Sequence, residues 1–294
     1  MQHTKHAVVG LAALGLAVST GLTAPVAAQP DGDHKDSRVD VHIAKNREIT
    51  MPRHIRAGKN RFDIRCETNS LFQIIAPDRG YSRFEFARDA HRAFNKNNSR
   101  ALKRLERNVR FEGGATCSPR RSGHLWVDLD PDKYWAVDIN APRIRPGKIA
   151  RFFAHDRDGD GHDGRKDGWR KGAVIRAVGH TTWAPNPRRI NERGPLTFVN
   201  DSMENHFVEI AKLAKGKTER DFARWVRQVN KGEEAPPPLG RVSFDTGVVS
   251  PGESMTTVYS LPRGNYMLLC FWPDADEDNT PHVFQGMFRG IRVD

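Results

Sequence analysis

Long apolar runs are missing from this 294-residue sequence: after residue 28 no stretch approaches the ~20 apolar residues that a membrane-spanning helix needs. No twin arginine precedes the N-terminal apolar stretch, and no cysteine sits near its cleavage site to carry a lipid. What the N-terminus has instead is Lys5, a short apolar core from Ala7 to Val18, and the small residues Val26-Ala27-Ala28. That is the three-part pattern of a Sec-type secretory signal peptide, cut after Ala28. The expectation is residues 1–28 as signal peptide, 29–39 as a flexible segment, and a secreted or extracytoplasmic mature chain without a transmembrane segment.

Cysteine is scarce too, with only three. An odd number in an exported protein leaves one over. Cys66 and Cys117 lie in the first half and can pair in an oxidising compartment, which would leave Cys270 as a free thiol that needs a use. Acidic residues are the minority: 47 Lys and Arg against 36 Asp and Glu give a net charge of +11. Such a chain is drawn to anionic partners such as nucleic acid, acidic polymers or an anionic envelope surface. The basic residues are scattered, with no recognition-helix or RNA-platform signature, so a solvated basic surface and no specific nucleic acid is the reading.

The two halves run through the same order of events. The first opens with VHIAKNREITMPRHIRAGKNRFDIRCE from Val41, and the second with AVIRAVGHTTWAPNPRRINERGPLTFVND from Ala173. Each is an alternating apolar run, a Pro-containing turn and a second alternating run, which reads as two strands. An amphipathic helix follows in each, with Phe86-Ala87-Arg88 matching Phe222-Ala223-Arg224 and ends near Asn95-Lys96 and Asn230-Lys231. In the second helix Phe222, Trp225, Val226 and Val229 share one face behind the cap residues Thr218 and Asp221. Each half closes with a strand through a tyrosine, LDPDKYWAVDI and LPRGNYMLLCF. Four blocks in one order point to a duplication. Short strands between Gly/Pro turns, without βαβ alternation, predict two mainly β domains, antiparallel Greek-key sandwiches each with an inserted helix, at 40–155 and 172–294.

The second half ends in Gly264-x-Tyr266-x-x-x-Cys270, then Pro281-His282-x-x-x-Gly286-Met287, then an apolar strand. Upstream, Phe198, Asn200 and His206 stand in the order F-x-N-x-x-x-x-x-H. This set resembles the cupredoxins, the small blue copper proteins. The resemblance implies copper as cofactor, with His206, Cys270 and His282 as strong ligands and Met287 as the axial one. A thiolate, two imidazoles and a weak thioether in a trigonal array suit copper in both oxidation states. It also implies electron transfer or copper holding outside the cytoplasm, with a redox partner protein or a copper donor or acceptor. The chain departs from the family pattern in the ten-residue acidic insert Phe271 to Thr280, in Phe207 where many relatives carry Asn, and in the helix between His206 and Cys270.

Matching the blocks sets Leu71 opposite His206, Asp138 opposite Cys270 and Ile149 opposite Met287, so the first half is expected to be degenerate and metal-free. No H-x-H or H-C-H cluster occurs, which argues against multicopper oxidase chemistry, and no acid–base pair marks an enzyme. The alternative to a copper carrier is a metal-free pair acting as an extracellular binding or envelope-interaction module. Between the halves, residues 156–171 form an Asp/Gly-rich linker. There Asp156, Asp158, Asp160, His162 and Asp167 fall close to the spacing of a calcium loop, with Gly161 at its turn. Asp at the twelfth position, where a longer Glu is usual, leaves calcium and a plain hinge as equal readings.

Overall fold

The computed structural model describes residues 37–156 and 172–294. Alternation sets the strands. In β1 (Ser37–Ile43), Val39, Val41 and Ile43 face inward while Arg38, Asp40 and His42 face water. The first half continues with β2 (Gly58–Cys66), β3 (Ser70–Pro77), β4 (Val109–Cys117), β5 (Gly123–Leu129), β6 (Asp132–Asp138) and β7 (Ala150–His155). The second half has β8 (Ala173–Gly179), β9 (Arg193–Asn200), β10 (Glu209–Leu213), β11 (Leu239–Asp245), β12 (Ser254–Ser260), β13 (Gly264–Leu269) and β14 (Phe288–Val293).

These strands build a mainly β fold of packed sheets, and both halves use one strand order. β7, β6, β3 and β4 lie side by side as an antiparallel run, and so do β14, β13, β10 and β11. On the other layer β1 runs parallel to β2, which pairs with β5; likewise β8 runs parallel to β9, which pairs with β12. These parallel pairs are a feature that alternation alone does not reveal. β5 and β12 then pair with each other, so one eight-stranded sheet runs through both halves.

The seam is reinforced beneath that sheet. The buried Gln73 amide donates to Gly113 O and Val248 O, both at 3.0 Å, and accepts from Val248 N at 2.8 Å. Gly114 and Gly247 approach so closely here that a Cβ on Gly247 would fall on the backbone of Gly114. One apolar cluster extends from Val39 to Val293 across both halves.

Helices fill the long connections. In the second half α3 (Glu219–Asn230) starts at a Thr218/Asp221 capping box and buries Phe222, Trp225 and Val226. In the first half the insert is two helices where the sequence suggested one. α1 (Arg83–Ala90), capped by Ser82 and Glu85, runs into a π-helical turn over His91–Asn95. Asn97 then turns the chain in the left-handed region, and Asn98 caps α2 (Ser99–Asn108). Only Ala101, Leu102 and Leu105 of α2 point inward, and its many Lys and Arg residues hide the period. Cys66 and Cys117 form a disulfide, and Cys270 is a buried free thiol.

Candidate metal centre

The ligand candidates sit on three stretches that converge at one end of the second half. Asn200 ends β9 and is wholly buried; its amide donates to Glu204 O and Val249 O, and its carbonyl accepts from Ser202. That network folds residues 201–205 into a tight loop and delivers His206, whose backbone exchanges hydrogen bonds with Val249. Cys270 follows directly on β13. Its amide donates to Met287 O, and its carbonyl accepts from Val283 N.

The acidic insert closes as a small hairpin. Pro273–Asp274 pairs with Thr280–Pro281, and Asp278 and Asn279 make the left-handed turn. The buried Asp274 carboxylate organises it, accepting from Asp276 N, from Gln285 Nε2 and from His180 Nε2. Burial pushes this carboxyl up, but those donors outweigh it and its pKa lies below the ordinary value. His282 leaves the hairpin with its amide bonded to Trp272 O. It opens a 3-10 turn that ends on the left-handed Gly286. Met287 N donates back to His282 O, and Met287 O also accepts the Trp183 indole.

The result is a triangle of ligand atoms. Cys270 Sγ lies 3.6 Å from His206 Nδ1 and 3.8 Å from His282 Nδ1, and the two Nδ1 atoms are 3.0 Å apart. A point about 2 Å from all three lies in their plane, the length of a metal–imidazole bond. His206, Cys270, His282 and Met287 are all fully buried. Both Nε2 atoms are buried without a hydrogen-bond partner among the described residues, so the two rings are held by packing and by whatever meets their Nδ1 atoms. The donor set, one sulfur and two imidazoles, fits a borderline-soft cation such as copper.

Burial sets the electrostatics. It pushes the Cys270 thiol up to about 12, although the amides of Phe207 and Trp272 point at the sulfur. It lowers His206 to about 3 and His282 to about 4, with the other imidazoles adding to the effect on His206. All three groups are therefore neutral at pH 7, with both Nδ1 atoms and the sulfur gathered round one point.

Parts of this site carry no sequence signal. Trp272, two residues beyond Cys270, is boxed in by the first half: Phe94 and Phe111 meet its ring edge-on at centroid distances of 5.5 and 5.4 Å, and its indole N–H donates to Glu106. Lys103 pairs with Asp276 beside it. His180, in the turn after β8, sits 5.8 Å ring to ring from His282 and bridges Asp274 and Glu204.

The ladders also correct two of the matched positions. Tyr134 and Tyr266 are equivalent, each fully buried and donating to the carbonyl four residues upstream, and this aligns Asp138 with Cys270. Gln73 pairs with Val137 as Glu209 pairs with Leu269, so Ser70, not Leu71, takes the place of His206. Ala150 pairs with Ala136 as Arg289 pairs with Leu268, so Lys148, not Ile149, takes the place of Met287. A one-residue slip is the error to expect when strands are aligned by composition. In place of a thiol the first half has the buried Asp138 carboxylate, 2.5 Å from Arg47.

Of the calcium candidates, Asp158, Asp160, His162 and Asp167 lie outside the described residues; Asp156 is exposed just beyond β7.

No family model matches this chain, and no curated protein matches it. Among solved structures it is similar to a dithionite-reduced auracyanin from the photosynthetic bacterium Roseiflexus castenholzii. The identity is 22%, the match covers 42% of this chain and 95% of that one, and the TM-score is 0.26. Auracyanin B gives 16%, 42%, 87% and 0.27 for the same quantities. Auracyanin A, described as a "blue" copper protein from Chloroflexus aurantiacus, gives 14%, 41%, 96% and 0.26.

Proposed function

We propose that the chain is a duplicated, exported cupredoxin-like protein whose second half holds one copper ion and uses it for electron transfer or copper holding. The observation that carries this reading is the triangle of buried ligand atoms, none more than 3.8 Å from another. His206 Nδ1, His282 Nδ1 and Cys270 Sγ would hold the ion, and the buried Met287, whose backbone bonds to His282 and Cys270, would add a weak thioether.

Copper bound there would supply one-electron chemistry. The chain's own residues do the rest. The Phe207 and Trp272 amides aim at the Cys270 sulfur and support its thiolate. The loop folded by Asn200 and the hairpin folded by Asp274 fix the two imidazoles from opposite sides, so the array keeps its shape when the charge changes. The Trp272 box, built by Phe94, Phe111 and Glu106, excludes water from the side facing the first half. His282 is fully buried, and the half-exposed His180, 5.8 Å from it ring to ring, would offer an electron a way in.

The first half, where Ser70, Asp138 and Lys148 stand in the ligand positions, is a structural partner without a metal in this reading. Elemental analysis of protein taken from its native compartment tests the assignment. One copper per chain is expected, and zinc or no metal would contradict it.

A further inference from the structure

The degenerate end of the first half is concave, and its chemistry is the reverse of a soft-metal site. Residues 138–148 correspond to the Cys270–Met287 loop, and with the turn after β1 they border a cavity of about 440 Å³. Lys45, Arg143 and Arg145 line it, together with Arg47 and Lys148, which already pair with Asp138 and Glu48. A second cavity of about 500 Å³ adjoins it across Ile149 and is lined by Arg53, Arg83 and Arg151. Asp138 is the only carboxylate in either wall among the described residues, and Arg47 occupies it.

Six cations thus face two joined hollows without an ion pair to any described carboxylate. Burial, and after it the neighbouring Arg151 charge, lowers the Arg83 pKa below its ordinary value. Arg83 also donates to Ile149 O, which fixes its guanidinium at the boundary of the two hollows. Like charges held together around a cavity are stabilised by an anion that bridges them. The spread over two hollows calls for several anionic groups on one flexible strand.

The walls decide which strand. Single-stranded nucleic acid is held by rows of aromatic faces on which bases stack. Among the described residues only one aromatic side chain, Phe153, lines these hollows, and it already lies against His54 and His155 at centroid distances of 5.6 and 6.0 Å. A bilayer is flat and would touch only the rims. A linear sugar chain with a charge on each unit suits both the concavity and the spread of cations over two hollows, and guanidinium groups pair well with carboxylate.

We infer that the joined cavities of the first half, at the position matching the metal centre of the second, form a binding groove for an acidic polysaccharide. The groove does not depend on copper, so it stands or falls separately from the metal assignment.

The test measures binding of polygalacturonate and of heparin to the full mature chain at two salt concentrations. Single-stranded DNA and phosphatidylglycerol vesicles serve as competing probes. Wild type should bind at least one of the two sugar polymers, more weakly at higher salt. Arg143→Glu/Arg151→Glu should weaken that binding at least tenfold at 0.1 M salt, while Arg220→Glu/Arg224→Glu on α3 leaves it unchanged. Arg53→Glu/Arg145→Glu should repeat the loss, and near-UV circular dichroism identifies any variant that fails to fold. Equal losses from the α3 variant, no loss from both groove variants, or tighter binding to DNA or to vesicles than to either polymer would overturn the inference.

Discussion

Trp272 Nε1 donates a 2.7 Å hydrogen bond to Glu106 Oε1 and so ties the hairpin after Cys270 to a helix of the first half. Burial pushes the Glu106 carboxyl up to about 7, despite the indole donor. The first half thereby grips the hairpin that separates Cys270 from His282 in the second. This gives the first half a role in positioning the hairpin of the second.

Breaking that tie should loosen the loop. Glu106→Ala leaves the Trp272 N–H buried without an acceptor, which costs about 1–3 kcal/mol. Urea unfolding should show the lowered midpoint. Hydrogen exchange should speed up over residues 271–281 more than in β5 or β12, and unchanged exchange there would mean the hairpin holds itself.

The two histidines make the apo protein sensitive to acid. Unfolded imidazoles titrate near ~6.5, whereas burial lowers His206 to about 3 and His282 to about 4. As pH falls below the unfolded value, the unfolded chain gains protons that the folded one does not. Stability should therefore drop by about 1.4 kcal/mol per pH unit for each histidine, until the folded values are reached. Urea midpoints between pH 7 and pH 5 measure the slope, and His206→Phe should flatten it.

Copper uptake should release a proton. The Cys270 thiol is held up to about 12 by burial, so at pH 7 it is protonated before it ligates. Calorimetry in buffers of different ionisation enthalpy should find one proton released per copper bound, with affinity rising about tenfold per pH unit. Cys270→Ser should abolish the release.

The disulfide belongs to the scaffold and not to the site. Cys66 and Cys117 are 51 residues apart, and closing a loop of that length contributes about 4 kcal/mol through the unfolded chain. Cys66→Ser/Cys117→Ser should lower the unfolding midpoint and leave the copper spectrum as it was.

Much of the site was legible because its residues are chemically rare. A buried thiol, an imidazole at a strand end and a Pro-His-x-x-x-Gly-Met stretch each constrain the backbone locally, so their order in the sequence carries the geometry. Trp272, Glu106 and His180 were not legible. Their roles arise from contacts between residues up to 166 positions apart, and nothing near Glu106 in α2 marks it as a hydrogen-bond acceptor for the other half. Strand pattern gave the sandwich layers, because inward and outward faces alternate. It gave neither the β5–β12 seam nor the exact ladder registers, since both depend on backbone pairing that any alternating pair could satisfy.

The most direct test of the metal assignment is a titration of the purified, reduced apo chain with Cu(II), followed by visible absorption. An intense thiolate-to-copper charge-transfer band is expected that saturates at one copper per chain and is lost in Cys270→Ser, while Met287→Leu keeps the band and shifts the reduction potential. A chain that shows no such band, or whose band survives Cys270→Ser, would contradict that assignment.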